Sequence, residues 1–238
     1  MTMLQAIVLG VIQGLTEFLP ISSSGHLILV PEVFGWEPGG LAFDTMVHVA
    51  TFLAVLFVFR DAVWKMGLGM AGKKEHVAYR KVGWMVLVAT IPVVAVGLLL
   101  GESEVLRTTP VVAASLIVWG VVLAIADLVS RKQKNPVRTD AGVTWKQTLL
   151  IGLAQVLALI PGTSRSGITM SAGLFTGLDR TMATRVSFLL SLPAVGGAAA
   201  YVVMQAIQAG ETLWTPELFA GFVAALLSGI AAITFLLR

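Results

Sequence analysis

The sequence predicts an all-α, polytopic membrane protein made of two inverted-topology repeats, each carrying a re-entrant broken helix. Three observations lead there. Of the 238 residues, 57% are hydrophobic and only 12% charged, and mean hydropathy is +0.89, the balance of a chain whose solvent is lipid. Two apolar stretches are interrupted by polar, glycine-containing turns, Ile21 to His26 and Pro161 to Thr169, which align when residue n is set against residue n + 142. Finally, eleven of the sixteen Lys and Arg residues fall in two loops, Arg60 to Lys81 and Arg131 to Lys146.

Met1 to Leu19 is apolar and helical in pattern, with Gln13 and Glu17 four apart on one face and Thr16 adjacent. Pro20 stops that helix. Leu27 to Val33 resumes it briefly before Gly35, Pro38, Gly39 and Gly40 end it. Neither piece reaches the roughly 20 residues that span a bilayer, so together they read as two half-helices and a turn. Three full-length apolar segments follow, Ala42 to Phe59, Val82 to Leu100 and Pro110 to Val129. Thr148 to Ile160 and Ile168 to Leu178 flank the second turn, and Met182 to Ala206 and Leu218 to Leu237 close the chain. Pro92 and Pro193 lie inside apolar segments, where a local kink is expected. The N-terminus has no basic n-region or small-residue cleavage site and is expected in the mature protein. With no cysteine, disulfides, thiolate metal sites and a cysteine nucleophile are excluded.

The 142-residue offset pairs Gln5 with Gln147, Gly10 with Gly152, Gln13 with Gln155, Ser22 with Ser164, Ser24 with Ser166 and Gly25 with Gly167. Two unrelated apolar helices would not share these glutamines and a Ser-x-Ser-Gly. The first repeat is taken as residues 1–129 and the second as 143–238 of one membrane domain. Three crossings separate the broken segments, so the halves are inverted. The two basic loops then share one face, cytoplasmic by the positive-inside rule, while Gly101 to Thr109 and Ala209 to Glu217, each with two glutamates, share the other. Nucleic-acid binding is not expected, because no aromatic-interleaved basic domain accompanies these loops. The second half has two crossings after its broken segment against three in the first, so a shortened second repeat is expected.

Backbone that breaks at membrane depth must be buried in protein or line a wet cavity, and an ionisable residue there points to function. The second turn offers the Arg165 guanidinium, the hydroxyls of Thr163, Ser164, Ser166 and Thr169, and the free N–H groups opening the next half-helix, with Gly162 and Gly167 admitting close approach. Together they suit phosphate. Arg165 snorkelling from a helix end is the competing reading, but snorkelling requires no glycine-rich turn. The first turn supplies Glu17, Ser22, Ser23, Ser24 and His26. Hydrolysis needs a nucleophile, a proton acceptor and a donor to the leaving group. Ser23 or a held water is the candidate nucleophile, with Glu17 and His26 managing the proton. Glu17 is also a candidate cation ligand. Against these stand a purely structural Glu17–Arg165 pair, a neutral His26 bonded to a backbone carbonyl, and Ser22 or Ser24 as helix caps. Asp44, His48, Asp179, Arg180 and Arg185 are expected as an outer ring.

Gln13-Gly14-Leu15-Thr16-Glu17-Phe18-Leu19-Pro20-Ile21-Ser22-Ser23-Ser24-Gly25-His26 and Pro161-Gly162-Thr163-Ser164-Arg165-Ser166-Gly167-Ile168-Thr169 closely resemble the two signature motifs of bacterial undecaprenyl pyrophosphate phosphatases, the BacA-type bacitracin resistance family. Phe43 to His48 and Ser187 to Leu190 are similar to that family as well. The resemblance implies removal of the terminal phosphate from a C55 polyprenyl pyrophosphate, recycling the lipid carrier of cell-wall synthesis. It further implies a bacterial inner-membrane location, an active site facing the periplasm, and help from a divalent cation, Mg or Ca. Glu17, Ser23, His26, Ser164, Arg165, Ser166 and Thr169 fall on the family's functional positions. Gln13 stands where many members carry a first glutamate, and its amide oxygen can still meet a metal. The family usually carries a further C-terminal helix. A homodimer is compatible with the sequence. Phosphatidic-acid-phosphatase-like chemistry is disfavoured, because only Ser24-Gly25-His26 matches it. A transporter or flippase for a lipid-linked or small phosphate-bearing anion is the alternative from another class, since inverted repeats with a midplane arginine suit it equally.

Overall fold

The structure, a computed structural model, describes residues 1–100 and 108–238. Ten α-helices are described: α1 (Met3–Thr16), α2 (Ser23–Phe34), α3 (Gly40–Val58), α4 (Arg60–Met70), α5 (Val77–Leu100), α6 (Thr109–Ser130), α7 (Trp145–Gln155), α8 (Arg165–Phe175), α9 (Arg180–Gln208) and α10 (Pro216–Leu236). Five of them, α3, α5, α6, α9 and α10, are long and apolar enough to cross a bilayer, making this a multi-pass membrane protein.

The two broken segments open in the same way. Thr2 caps α1 and Thr144 caps α7, each accepting from the backbone of a glutamine three residues on at 3.3 Å while that glutamine's amide oxygen accepts from the cap's own N–H. The half-helices of 14 and 11 residues are about 21 and 17 Å long, short of the roughly 30 Å hydrocarbon core. Each ends inside the protein. Glycines hold both against a long neighbour: Gly10 and Gly14 press on the Gly221 and Ala225 carbonyls of α10, and Gly152 on the Ala89 carbonyl of α5.

The helix α4 was not expected, since Arg60 to Lys81 reads as a basic loop. Its Ala62, Val63 and Met66 recur at helical spacing and join the core, and Gly69 lies on the His76 carbonyl, so α4 packs on the start of α5. Centrally, Phe188 of α9 makes edge-to-face contacts with Phe18 at 5.5 Å and with Phe59 at 6.3 Å. Phe52 of α3 covers Gly196 of α9.

The two basic segments lie at one end, where Lys81 Nζ donates to the Val143 carbonyl at 2.9 Å. At that end Arg180 pairs with Asp127 at 2.6 Å, Arg185 with Asp140 at 2.8 Å and Arg138 with Asp179 at 3.8 Å. This corrects the outer ring: Asp179 and Arg185 tie the 131–146 loop, and Arg180 the end of α6, to the start of α9 rather than joining the polar turns. Nearness in sequence to Arg165 misleads here, because all of α8 intervenes. Of the acidic loop Gly101 to Thr109, residues 101–107 lie outside the described residues.

Candidate active site

The polar turns meet. Glu17, one residue past the end of α1, accepts from Arg165 Nη2 at 3.1 Å through Oε1, and from Ser23 Oγ at 2.7 Å and Gln13 Nε2 at 3.1 Å through Oε2. One carboxylate thus links the end of α1, the start of α2 and the start of α8. The ion pair is largely enclosed, its side chains 14% and 10% exposed. Arg165 Nη1 donates to the Ser187 carbonyl of α9 at 3.4 Å, and its Nε is buried with no hydrogen-bond partner. A fork anchored at both ends with a donor left over is poised to take an anion's oxygen.

His26 stands one turn into α2, and its Nδ1 lies 2.8 Å from the Ser22 carbonyl oxygen. A carbonyl only accepts, so Nδ1 carries the hydrogen, and Nε2 is the nitrogen left to accept or release a proton. Its described bond is to Ser22 rather than to Glu17 or Ser23.

The remaining hydroxyls mostly stitch the turns. Ser164 caps α8, accepting from Gly167 N at 3.1 Å, and lies 3.0 Å from Ser166 Oγ. Ser166 Oγ also reaches across to the Leu19 carbonyl at 3.1 Å. Thr169 is fully buried, its hydroxyl 2.8 Å from the Arg165 carbonyl and 2.7 Å from Ser187 Oγ, so it braces the turn of helix beneath Arg165. In the first turn Ser22 Oγ lies 3.3 Å from Ser24 Oγ, and Ser24 is exposed. Gly162 adopts φ +84°, and a Cβ there would stand 2.6 Å from the Val112 carbonyl oxygen of α6. Two residues have no role at the site in the sequence reading: Ser187, named only within a family-like stretch, whose carbonyl receives Arg165, and Ser115 of α6, whose Oγ lies 3.3 Å from Thr163 Oγ1. Hydroxyls inside apolar helices were the available signal.

Gln13 is fully buried, and its Oε1 has no hydrogen-bond partner. The Gln13 amide turns its Nε2 to Glu17 Oε2 at 3.1 Å; a half-turn of that amide would bring Oε1 beside the carboxylate instead, and the two would then supply hard oxygen donors of the kind Mg or Ca takes together with substrate phosphate oxygens. Among the described residues no three His, Cys, Asp or Glu side chains cluster as a metal cage.

Fold and site together define a multi-pass α-helical membrane protein whose two broken helices share an enclosed Glu–Arg–Ser cluster. The chain belongs to the BacA family: the family model described as bacitracin resistance protein BacA matches residues 6–238. It is similar to the undecaprenyl-diphosphatase of Alteromonas mediterranea, 45% identical over 218 residues that cover 90% of this chain and 80% of the relative. Undecaprenyl-diphosphatase 2 of Stutzerimonas stutzeri is 43% identical over 245 residues, covering 100% of this chain and 90% of the relative. The undecaprenyl-diphosphatase of Idiomarina loihiensis is 44% identical over 246 residues, with the same coverage.

Proposed function

We propose that this chain is an undecaprenyl-diphosphatase, hydrolysing the C55 pyrophosphate to the monophosphate and inorganic phosphate. Beside the family membership, the observation that carries this reading is the Glu17 carboxylate, which accepts from Ser23 Oγ at 2.7 Å while paired with Arg165 at 3.1 Å. A hydroxyl bonded to a carboxylate beside an anion-binding guanidinium is arranged for attack at phosphorus; binding or transport of an anion needs no such base. The flippase alternative therefore ranks second.

In this reading Arg165 and the N–H groups opening α8 hold the terminal phosphate and spread its charge as it transfers. Ser23 Oγ bonds to phosphorus, its proton passing to Glu17, as the bridging P–O bond breaks and the lipid monophosphate leaves with the electron pair. Water then attacks the phosphoserine, His26 Nε2 accepting its proton, as the Ser23 Oγ–P bond breaks and Glu17 returns its proton to Ser23 Oγ; inorganic phosphate departs. Gln13 and Glu17 would hold a divalent cation, which when bound adds positive charge beside the pyrophosphate. The two halves are read as inverted repeats, with the basic end in the cytoplasm and the site open to the periplasm of a bacterial inner membrane.

The test is phosphate release from undecaprenyl pyrophosphate in detergent by the parent chain, Ser23→Ala and His26→Gln, with mass spectrometry of the quenched protein. Release lost in Ser23→Ala, and phosphate trapped on Ser23 in His26→Gln, is the expected result. Robust turnover by Ser23→Ala would instead assign the attack to water.

A further inference from the structure

A pyrophosphate reaching Arg165 brings a long isoprenoid chain that has to leave the site sideways, between helices, into the hydrocarbon. We propose that it leaves through the seam between α2 and α6. This inference rests on the phosphatase reading and names where the substrate's tail lies.

Four other helix pairs are held shut by close contact. The α1–α10 wall is sealed by Gly10 on the Gly221 carbonyl and Gly14 on the Ala225 carbonyl, and the α5–α7 wall by Gly152 on the Ala89 carbonyl. Between α3 and α10, Gly229 lies against Ala54, and between α8 and α9 the Thr169–Ser187 hydroxyl bond is 2.7 Å. A methyl-branched chain has no passage there without unpacking a helix pair.

The α2 side differs. Among the described residues its broad helix contact is with α1, whereas α6 packs broadly on α8. Across the seam only side-chain tips of α6 face the Gly25 backbone of α2: a Cβ added at Gly25 would stand 3.6 Å from both Leu116 Cδ1 and Val112 Cγ1, ordinary contact distance. The same turn of α6 touches the second polar turn, where Val112 lies over Gly162 and Ser115 meets Thr163. The seam therefore borders both turns at once. Its flanks are apolar and unburied, Ile28 of α2 being 46% and Ile117 of α6 69% exposed. A wall held on one side by α8 and only lightly touching α2 can part to admit a chain while Arg165, Glu17 and Ser23 keep their places.

The chain has no cysteine, so Gly25→Cys with Leu116→Cys supplies the only two thiols. The purified double variant is joined by a short, reductively cleavable thiol linker, and phosphate release is measured on undecaprenyl pyrophosphate and on a C5 prenyl pyrophosphate. Joining the helices is expected to lower C55 hydrolysis at least tenfold, to leave C5 hydrolysis within twofold, and to be reversed by cleavage. Full linkage with C55 hydrolysis unchanged would overturn the proposal, as would equal loss on both substrates or linkage forming between two chains. Should the unlinked pair be inactive, Ile28→Trp takes its place: a raised KM for the C55 substrate alone is expected, and an unchanged C55 to C5 ratio overturns the seam. A parent chain that hydrolyses neither substrate would sink the phosphatase reading, and the seam with it.

Discussion

Removing Arg165 while leaving Glu17 in place asks whether one ion pair serves both fold and chemistry. The pair is 3.1 Å long, with side chains 14% and 10% exposed, so deleting the guanidinium strands a carboxylate whose other partners are the Ser23 hydroxyl and the Gln13 amide. Breaking a buried pair from one side costs about 3–5 kcal/mol, and the slight exposure favours the lower end, about 3 kcal/mol. For a chain of this size that lowers Tm by about 6–12 °C. Neutralising the stranded group should restore most of it, so Glu17→Gln/Arg165→Met is expected to melt within a few degrees of the parent. Catalysis follows a different rule. Each charge-assisted bond to phosphate contributes about 1.5–3 kcal/mol, or about 10- to 150-fold in rate, and the double variant lacks both the fork and the base. The assay is phosphate release beside a melting curve for parent, Arg165→Met, Glu17→Gln and the double variant. Stability regained without activity is the expected outcome. A double variant that regains activity would refute the reasoning, because the pair would then be scaffold alone.

Gly162→Ala puts a Cβ 2.6 Å from the Val112 carbonyl at φ +84°, and should lower Tm by several degrees together with turnover; an unchanged melting curve would show that the turn does not need its glycine. Chelation of divalent cations from the parent chain should slow C55 hydrolysis, with Mg or Ca restoring it, and Gln13→Leu should weaken that restoration while Gln13→Glu strengthens it, read as the half-saturating metal concentration. Ser22→Gly should raise stability by about 1 kcal/mol, since glycine takes a left-handed conformation freely, yet lower turnover by loosening His26; higher turnover in that variant would contradict the role given to the turn.

The five spans and both broken segments were legible because an apolar run of bilayer length, and a polar break in one, are strong local signals. The expectation that Gln13, Glu17 and the two turns form one cluster followed from the repeat and from the rarity of charge in such sequence. The helix α4 was missed because a half-exposed amphipathic helix among lysines has the composition of a loop. Start positions slipped likewise, since α2 begins at Ser23 rather than near Leu27 and polar residues opening a helix read as turn. The division of labour among hydroxyls was not legible at all. Whether Ser166 faces a phosphate or reaches the Leu19 carbonyl of the other turn depends on how two hairpins 142 residues apart are docked, and no local pattern carries that.

The 142-residue offset shows why the two turns are not copies in geometry. At the 142-residue offset Pro20 stands opposite Gly162. Gly162 makes its turn left-handed at φ +84°, a conformation closed to proline, whose ring fixes φ near −65°. The first turn therefore makes its left-handed step two residues later, at Ser22, with φ +65°, the one non-glycine residue with positive φ among those described. Its counterpart Ser164 has an ordinary φ of −68° and caps α8 through its hydroxyl, whereas Ser22 makes no such cap. What Ser22 offers instead is its carbonyl, which takes the His26 Nδ1 hydrogen at 2.8 Å and so leaves Nε2 bare. A left-handed serine costs about 1–2 kcal/mol, and strain of this kind persists where surrounding structure overdetermines it. The proline that follows α1 thereby accompanies a first turn in which the Ser22 carbonyl holds the His26 Nδ1 hydrogen and leaves Nε2 facing outward from that bond. The unstrained second turn keeps the capped helix start and the arginine suited to holding phosphate.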